Sequence, residues 1–412
     1  MNIVHVPRRF TRSSWGGTET VILELCRAQR AAGHDARILT TSALDKPGAD
    51  EVAGVPVRRC GYFYPWLGLD AEAVRRLDQK GGNLFSWEIA RELRRAPFDV
   101  AHLHTGKRLG GIVRHAALRR GAPYIVSVHG GALDIASAEE ATYTEPTRGK
   151  LEWGRLLGLA YGSRRVFDDA AAILCLGVEE TARMSAAYPD RRVERFPNGV
   201  DADRFATGDG AAFRAARGIP PDAELLLCVG RIDPQKNQLL AVRALPAILA
   251  VRPGARLLLV GHVTNDAYRA AILQEARALG VAEKATLIPG IDAASGELAD
   301  AFHAADLFVL PSVHEPFGIV ILEAWAAGLA VLASRVGGIP SFVRDGLDGV
   351  LVEPGDVEEF AARAVELLGD AGRRRSLAEA GRNRARGEFS WAALNLRLAS
   401  IYEEAIRARP LR

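Results

Sequence analysis

Short apolar runs alternate along the chain with longer stretches whose apolar residues recur every three or four positions. The runs at about 2–6, 36–41, 100–104, 124–129 and 172–176 read as buried strands. Between the first two, Val21, Ile22, Leu25, Ala28 and Ala32 fall on one stripe of a helix over about 18–32, and Gly33 suits the position just past its end. A turn-rich stretch, Phe196-Pro197-Asn198-Gly199-Val200-Asp201, closes this series. The alternation restarts near Pro220. Strands are expected at about 224–229, 256–260, 286–288, 307–311 and 330–333, and helices at about 238–250, 266–279, 295–304, 318–327, 357–368 and 391–407. Strands alternating with amphipathic helices predict parallel sheets with helical crossovers. The fold class is α/β: two doubly wound, Rossmann-like domains with a cleft between them. Ligands in such sheets sit at the carboxyl ends of the strands.

Length and composition narrow the function classes. The 412 residues suit two or three domains, and 48% hydrophobic with 25% charged residues excludes disordered and collagen-like chains. Net charge is +3, from 53 basic and 50 acidic residues, too balanced for a general nucleic-acid binder. The first 200 residues hold 29 basic and 23 acidic side chains and the rest 24 and 27, so the halves are expected to face different partners. Cys26, Cys60, Cys175 and Cys228 lie far apart, without zinc-finger or redox spacing, and read as buried thiols. No apolar run reaches the roughly 18 residues of a membrane span. The N-terminal residues have strand character rather than signal-peptide character, so a cytoplasmic location is the default expectation.

Two strings carry chemistry. In Pro311-Ser312-Val313-His314-Glu315-Pro316-Phe317-Gly318-Ile319-Val320-Ile321-Leu322-Glu323, a buried strand runs through a loop into a helix. The N–H groups of Gly318, Ile319 and Val320 would open that helix without intrahelical partners, and with its dipole they suit a diphosphate. Glu323 shares the face of Ile319 and Val320 and can accept hydrogen bonds from a ribose beside that diphosphate. Glu315, in the preceding loop, can reach the same place. The second string is Val229-Gly230-Arg231-Ile232-Asp233-Pro234-Gln235-Lys236. Here two cations follow a strand end: Arg231 can clamp phosphate oxygens with its fork, and Lys236 adds a point charge. Taken singly, each residue is as well explained as a solvated loop or helix side chain.

Together these strings resemble the retaining glycosyltransferases of family 4, which have the two-Rossmann GT-B fold. The resemblance spans most of the chain. Gly16-Gly17-Thr18-Glu19 is similar to the family's N-terminal glycine loop, His129-Gly130 to its strand-end histidine, Asn198-Gly199-Val200-Asp201 to its linker turn, and Gly337-Gly338-Ile339-Pro340 to a later glycine loop. The resemblance implies an acceptor-binding domain over 1–203, a nucleotide-sugar domain over 204–388, and a closing helix near 389–412 that packs back on the first. It implies that Arg231 and Lys236 hold the donor diphosphate, Glu323 the ribose, and Glu315 the donor sugar. Gly16 and Gly17 would let backbone approach the phosphates, and His129 would face the reacting sugar. The base would be read by backbone near Pro289–Ile291. The implied reaction moves a sugar, most simply from a UDP- or GDP-sugar, to a hydroxyl of a glycan, glycolipid or small-molecule acceptor. It proceeds with retention by front-face substitution, a donor phosphate oxygen taking the acceptor proton, and needs no cofactor and no metal. Alanine at Glu315 or Lys236 would then cut turnover by orders of magnitude.

Other features qualify this. Ser341 stands where the family often has an acid, and His262-Val263-Thr264-Asn265-Asp266 replaces a usual small glycine turn. Asp201-Ala202-Asp203 has the spelling of a metal motif but sits in the linker, and His102 and His104 share a strand face without a third ligand. A basic stretch (Lys107, Arg108, Arg114, Arg119 and Arg120) with apolar Ile112, Val113, Ala116 and Ala117 reads as a solvated face, as a dock for anionic membrane at about 1 kcal/mol per close cation, or as a site for an anionic acceptor. The long segment 130–169, with Tyr143, Trp153 and Tyr161, and the aromatics of 62–66 would shape the acceptor site or pack the core. Alternatives to glycosyl transfer are a sugar-nucleotide epimerase, a phosphorylase, for which no cofactor lysine context exists, and a catalytically dead nucleotide-sugar-binding scaffold.

Overall fold

A computed structural model describes residues 1–12, 15–129, 145–291 and 295–408. The chain divides into two compact units, Met1–Pro197 with Leu394–Arg412, and Asn198–Ala393.

The first unit is built on eight strands: β1 (Asn2–Val6), β2 (Asp35–Thr41), β3 (Gly48–Val52), β4 (Val55–Cys60), β5 (Val100–Leu103), β6 (Tyr124–Val128), β7 (Ala172–Cys175) and β8 (Val193–Arg195). Their order is β3-β4-β2-β1-β5-β6-β7-β8. The pairs are parallel apart from the β3–β4 hairpin. Strands β5 and β7 are buried along their whole length, as expected where crossover helices cover both faces. The direction of strand succession reverses between β1 and β5, the place where such sheets bind ligands. The hairpin was not expected. Only Val52 of β3 is buried, so the strand has no apolar signature, and its turn is Ala53-Gly54, both with positive φ.

The second unit has six parallel strands: β9 (Glu224–Val229), β10 (Ala255–Val260), β11 (Ala285–Ile288), β12 (Leu307–Leu310), β13 (Val331–Ser334) and β14 (Val350–Val352). Their order is β11-β10-β9-β12-β13-β14, so the reversal falls between β9 and β12. Its core joins the inner faces of β9, β10, β12 and β13 to the helices Gln238–Val251 and Val357–Gly369. The expected basic run at 373–386 is a helix, Ala371–Arg386.

The last helix, Trp391–Arg407, gives the first unit its residues from Leu394 onward. Leu394, Leu398, Ile401 and Tyr402 are buried. Asn395 donates to the Ala28 carbonyl at 3.3 Å, and Arg192 pairs with Glu404 at 2.7 Å. A segment distant in sequence thus completes the first unit's packing.

Candidate active site

In the second unit, the sequence strings converge on the β9–β12 switch. Strand β9 delivers Gly230, whose N–H donates to the Val260 carbonyl at 2.9 Å. A Cβ at Gly261, just past β10, would collide with the Gly230 carbonyl, so a glycine is required for the two strand ends to lie together. Beyond Gly230 the chain turns on buried Asp233, whose carboxylate accepts from the N–H groups of Gln235 at 2.9 Å and Lys236 at 3.3 Å. That turn aims the two cations differently. Arg231 is 55% exposed at its side chain and lies 3.3 Å from Asp233. Lys236 is turned inward, and its Nζ donates to Oε2 of Glu315.

Glu315 is 6% exposed and comes from the loop after β12. Backbone bonds fix that loop: Val313 N–H to the Gln235 carbonyl and Gly338 N–H to the Glu315 carbonyl, both 2.9 Å. Gly337 has φ of 53°, and a Cβ there would strike the Glu315 carbonyl; one at Gly338 would strike that of Pro316. The Gly337-Gly338 loop is therefore a seat for the Glu315 loop. Gly318, with φ of 96°, stands at the start of the helix Ile319–Ala327 and leaves it without a side-chain cap. Ile321 N–H bonds the Gly318 carbonyl at 2.9 Å. Ile319 and Val320 are part-exposed at the same end, where their N–H groups can meet an anion. Glu323, also part-exposed, has its carboxyl pushed up to about 7 by burial, with the positive charge of Arg204 pulling the other way. Arg231, Lys236, Glu315, Gly318, Ile319, Val320 and Glu323 thus gather in one unit. Within it, the Lys236–Glu315 pair joins the two strings.

Ile291 follows Gly290, whose φ is 106° and whose missing Cβ leaves room for the His262 ring. The departure at His262 therefore packs against the turn expected to read the base. Ser341 lies in a short turn and donates to the Gly338 carbonyl at 2.5 Å. Asp201 of the Asp-x-Asp spelling caps the following turn, accepting from Arg204 N–H at 3.1 Å.

Gly16, Gly17 and His129 belong to the first unit. Gly16 precedes the helix Gly17–Ala31 in extended backbone, and a Cβ there would sit 3.3 Å from Glu19 Oε2. Thr18 and Glu19 help to line a cavity of about 340 Å³ at the β1–β5 switch, with Arg8, Arg9, Asn83, His104 and Lys107 around it. Glu19 is buried, and desolvation raises its carboxyl despite Arg9 at 3.5 Å. Arg9 also donates to the Gln79 carbonyl at 3.1 Å, and Arg8 to Tyr64 Oη at 3.3 Å. Sequence reading placed Lys107 in a basic stretch with an anionic acceptor as one option and missed Arg8 and Arg9, which follow β1 after Pro7.

Histidines form a row through this unit. His5 Nε2 contacts Gln29 Oε1 at 2.8 Å, His5 Nδ1 contacts His104 Nε2 at 2.9 Å, and His104 Nδ1 contacts His129 Nε2 at 2.9 Å. Beside it, His102 meets Tyr402 Oη at 2.6 Å and Ser127 Oγ at 2.7 Å. Burial lowers all four histidines, His5 and His129 to about 4. The pair His102 and His104 does gain a third histidine, His5, within metal-ligand reach. However, the ring of His104 stacks on that of His102 at 4.3 Å, and all six ring nitrogens of the three already have hydrogen-bond partners in the row and its branch.

The basic stretch is used differently from a solvated face. Ile112, Val113, Ala116 and Ala117 are buried in the core. Arg108 is 3% exposed, donates to the Gly154 carbonyl at 3.0 Å and pairs with Glu152; Arg114 pairs with Asp169. The 62–66 aromatics are partly structural too. Tyr62 and Tyr64 donate to Asp78 at 2.5 and 2.8 Å, and Phe63 stacks on Trp153. Gly130 and Tyr143 lie outside the described residues. The four cysteines are buried and free, and burial raises Cys60 to about 11.

Two family models match the chain: glycosyl transferase 4-like domain over residues 16–199, and glycosyl transferases group 1 over residues 209–384. A D-inositol 3-phosphate glycosyltransferase of Thermobispora bispora is 35% identical over 407 residues, covering 95% of this chain and 90% of the relative. A D-inositol 3-phosphate glycosyltransferase 2 of Catenulispora acidiphila is 33% identical, with the same coverage. Among solved structures, sucrose-phosphate synthase from Thermosynechococcus elongatus aligns with a TM-score of 0.72 at 22% identity, over 99% of both chains. Anabaena HepE in complex with UDP-glucose aligns with a TM-score of 0.71 at 18% identity, over 98% of this chain and 100% of that one. The chain belongs to the group 1 glycosyltransferases of the family 4 type and is a glycosyltransferase with the GT-B fold.

Proposed function

We propose that this chain transfers a sugar, with retention and without a metal ion, from a nucleoside-diphosphate sugar to a hydroxyl of a phosphorylated cyclic polyol. Inositol 3-phosphate is the first acceptor to test and UDP the first donor nucleotide. The observation that carries the acceptor is the cavity at the β1–β5 switch, bordered by Arg8, Arg9 and Lys107. It occurs in a chain whose full-length relatives bear inositol 3-phosphate in their names. A phosphate gains strongly from cationic donors in a confined site. UDP is supported by the HepE complexes.

On the donor side, Arg231 and the N–H groups of Ile319 and Val320 receive the diphosphate. Lys236 is shared between that charge and Glu315. As the sugar–phosphate bond breaks, charge grows on the diphosphate, and these donors stabilise it. Glu315, buried beside Lys236, is the carboxylate assigned to positive charge developing on the sugar ring. The acceptor hydroxyl attacks the face the diphosphate leaves, and a phosphate oxygen takes its proton. The protein supplies position and field rather than a general base.

The acceptor assignment is tested by steady-state kinetics. Arg9→Ala should raise KM for inositol 3-phosphate about 10- to 100-fold, since a hydrogen bond to a charged group contributes roughly 1.5–3 kcal/mol. Donor KM should hold. Unchanged acceptor KM, or wild type using plain inositol as well as the phosphate, contradicts it.

A further inference from the structure

We infer that Gln29, His5 and His104 hold His129 as a single tautomer, Nε2–H with Nδ1 bare, so that His129 accepts a hydrogen bond from a substrate hydroxyl through Nδ1. The inference deepens the proposed function and rests on its placing of the acceptor in the first unit.

The direction of the row follows from one end. Neutral imidazole has one N–H donor and one acceptor nitrogen. Gln29 Oε1 can only accept, so His5 Nε2, 2.8 Å away, carries the hydrogen. His5 Nδ1 is then an acceptor, and His104 Nε2–H must donate to it across 2.9 Å. His104 Nδ1 is in turn an acceptor, and His129 Nε2–H donates to it across 2.9 Å. This leaves His129 Nδ1 with a lone pair and, among the described residues, no partner. His129 is part-exposed, whereas His5 and His104 are buried.

The Gln29 amide presents its Oε1 to His5 and its Nε2 to Tyr402. Its Nε2 lies 3.5 Å from Tyr402 Oη. Tyr402 donates to His102 Nδ1 at 2.6 Å, and His102 Nε2–H donates to Ser127 Oγ at 2.7 Å. Reversing the amide would reverse both branches together. A row of this kind strengthens cooperatively, because each bond polarises the next. Gln29, His5 and His104 are thus positioning residues: they touch no substrate, but set what His129 can do. A bare Nδ1 suits a hydroxyl donor and rejects a carbonyl or phosphate oxygen in its place.

The test is nitrogen NMR of the full chain labelled at histidine, with the His129 signals assigned by their loss in His129→Ala. The wild type should show His129 Nδ1 as pyridine-like and Nε2 as pyrrole-like. Gln29→Leu should average the two signals and lower kcat/KM about tenfold, while the dissociation constant for UDP stays unchanged. Gln29→Glu keeps an acceptor at the root and should restore the wild-type pattern, which a merely space-filling role would not do. Nδ1–H on wild-type His129, or an unaltered pattern in folded Gln29→Leu, overturns the inference. If the leucine variant does not fold, the wild-type spectrum decides alone. Failure is separable from that of the functional reading. The expected tautomer in a chain that transfers no sugar to a hydroxyl sinks the reading, and the opposite tautomer in an active transferase sinks the row.

Discussion

Glu323 is part-exposed, yet its carboxyl is held near 7 rather than its ordinary 4.5. A ribose offers two hydroxyl donors, and the ionised carboxylate accepts both. UDP affinity should therefore rise with pH through about 7, approaching tenfold per pH unit below that value. Glu323→Gln should bind more weakly and show only the titration of the nucleotide itself. Calorimetry from about pH 6 to 8 checks this; equal pH dependence in both proteins contradicts it. The stability sign is fixed as well. The folded state holds this proton more tightly than the unfolded chain, so the contribution is fully present below 4.5 and is lost as pH rises through 7. At this scale, the donor-side residues were legible because Glu315, Gly318 and Glu323 share one short string, with Arg231 and Lys236 in another. The histidine row was not. His5 lies 99 residues from His104, and only the pairing of β1 with β5, His5 opposite His102, brings these rings together.

Lys236 and Glu315 also couple two elements, the turn after β9 and the loop after β12. Both side chains are largely buried, so removing one partner strands the other's charge. Lys236→Met should cost roughly 3–5 kcal/mol, lowering the melting temperature by about 6 °C or more, and should remove transfer activity. Pairing it with Glu315→Leu should recover most of the stability and none of the activity. Differential scanning calorimetry beside a turnover assay reads both; a single variant that melts as wild type contradicts the account. Elements whose signal lies in their own residues were readable: strands β9, β10 and β12 fall within a residue of expectation. Those missed are the outer strands β3, β8 and β14, of three to five residues, with β3 polar besides, and the inner strand β4, whose Val55, Val57, Arg59 and Cys60 are buried but carry Pro56 and two arginines among them. Gly261 was visible as a glycine, but its reason, the Gly230 carbonyl, belongs to another strand.

Over the whole molecule, strand–helix alternation indicated the α/β class, while the closing of the first unit by Leu394–Arg412 came from the family resemblance and not from periodicity. That closing helix supplies Tyr402, so Gln29 meets a partner 373 positions away. The basic excess of the first half is likewise not all surface. Arg108 and Arg114 are spent on Glu152 and Asp169, while Arg8, Arg9 and Lys107 border the β1–β5 cavity. Donor, acceptor, stereochemistry and metal independence meet in one reaction. Proton NMR of the product formed from an α-linked UDP-sugar and inositol 3-phosphate, in the presence of EDTA, tests them together. The expected product is an α-glycoside of the cyclitol. A β-glycoside, UDP release without any glycoside, or a reaction that starts only when a divalent cation is restored would contradict the proposed function.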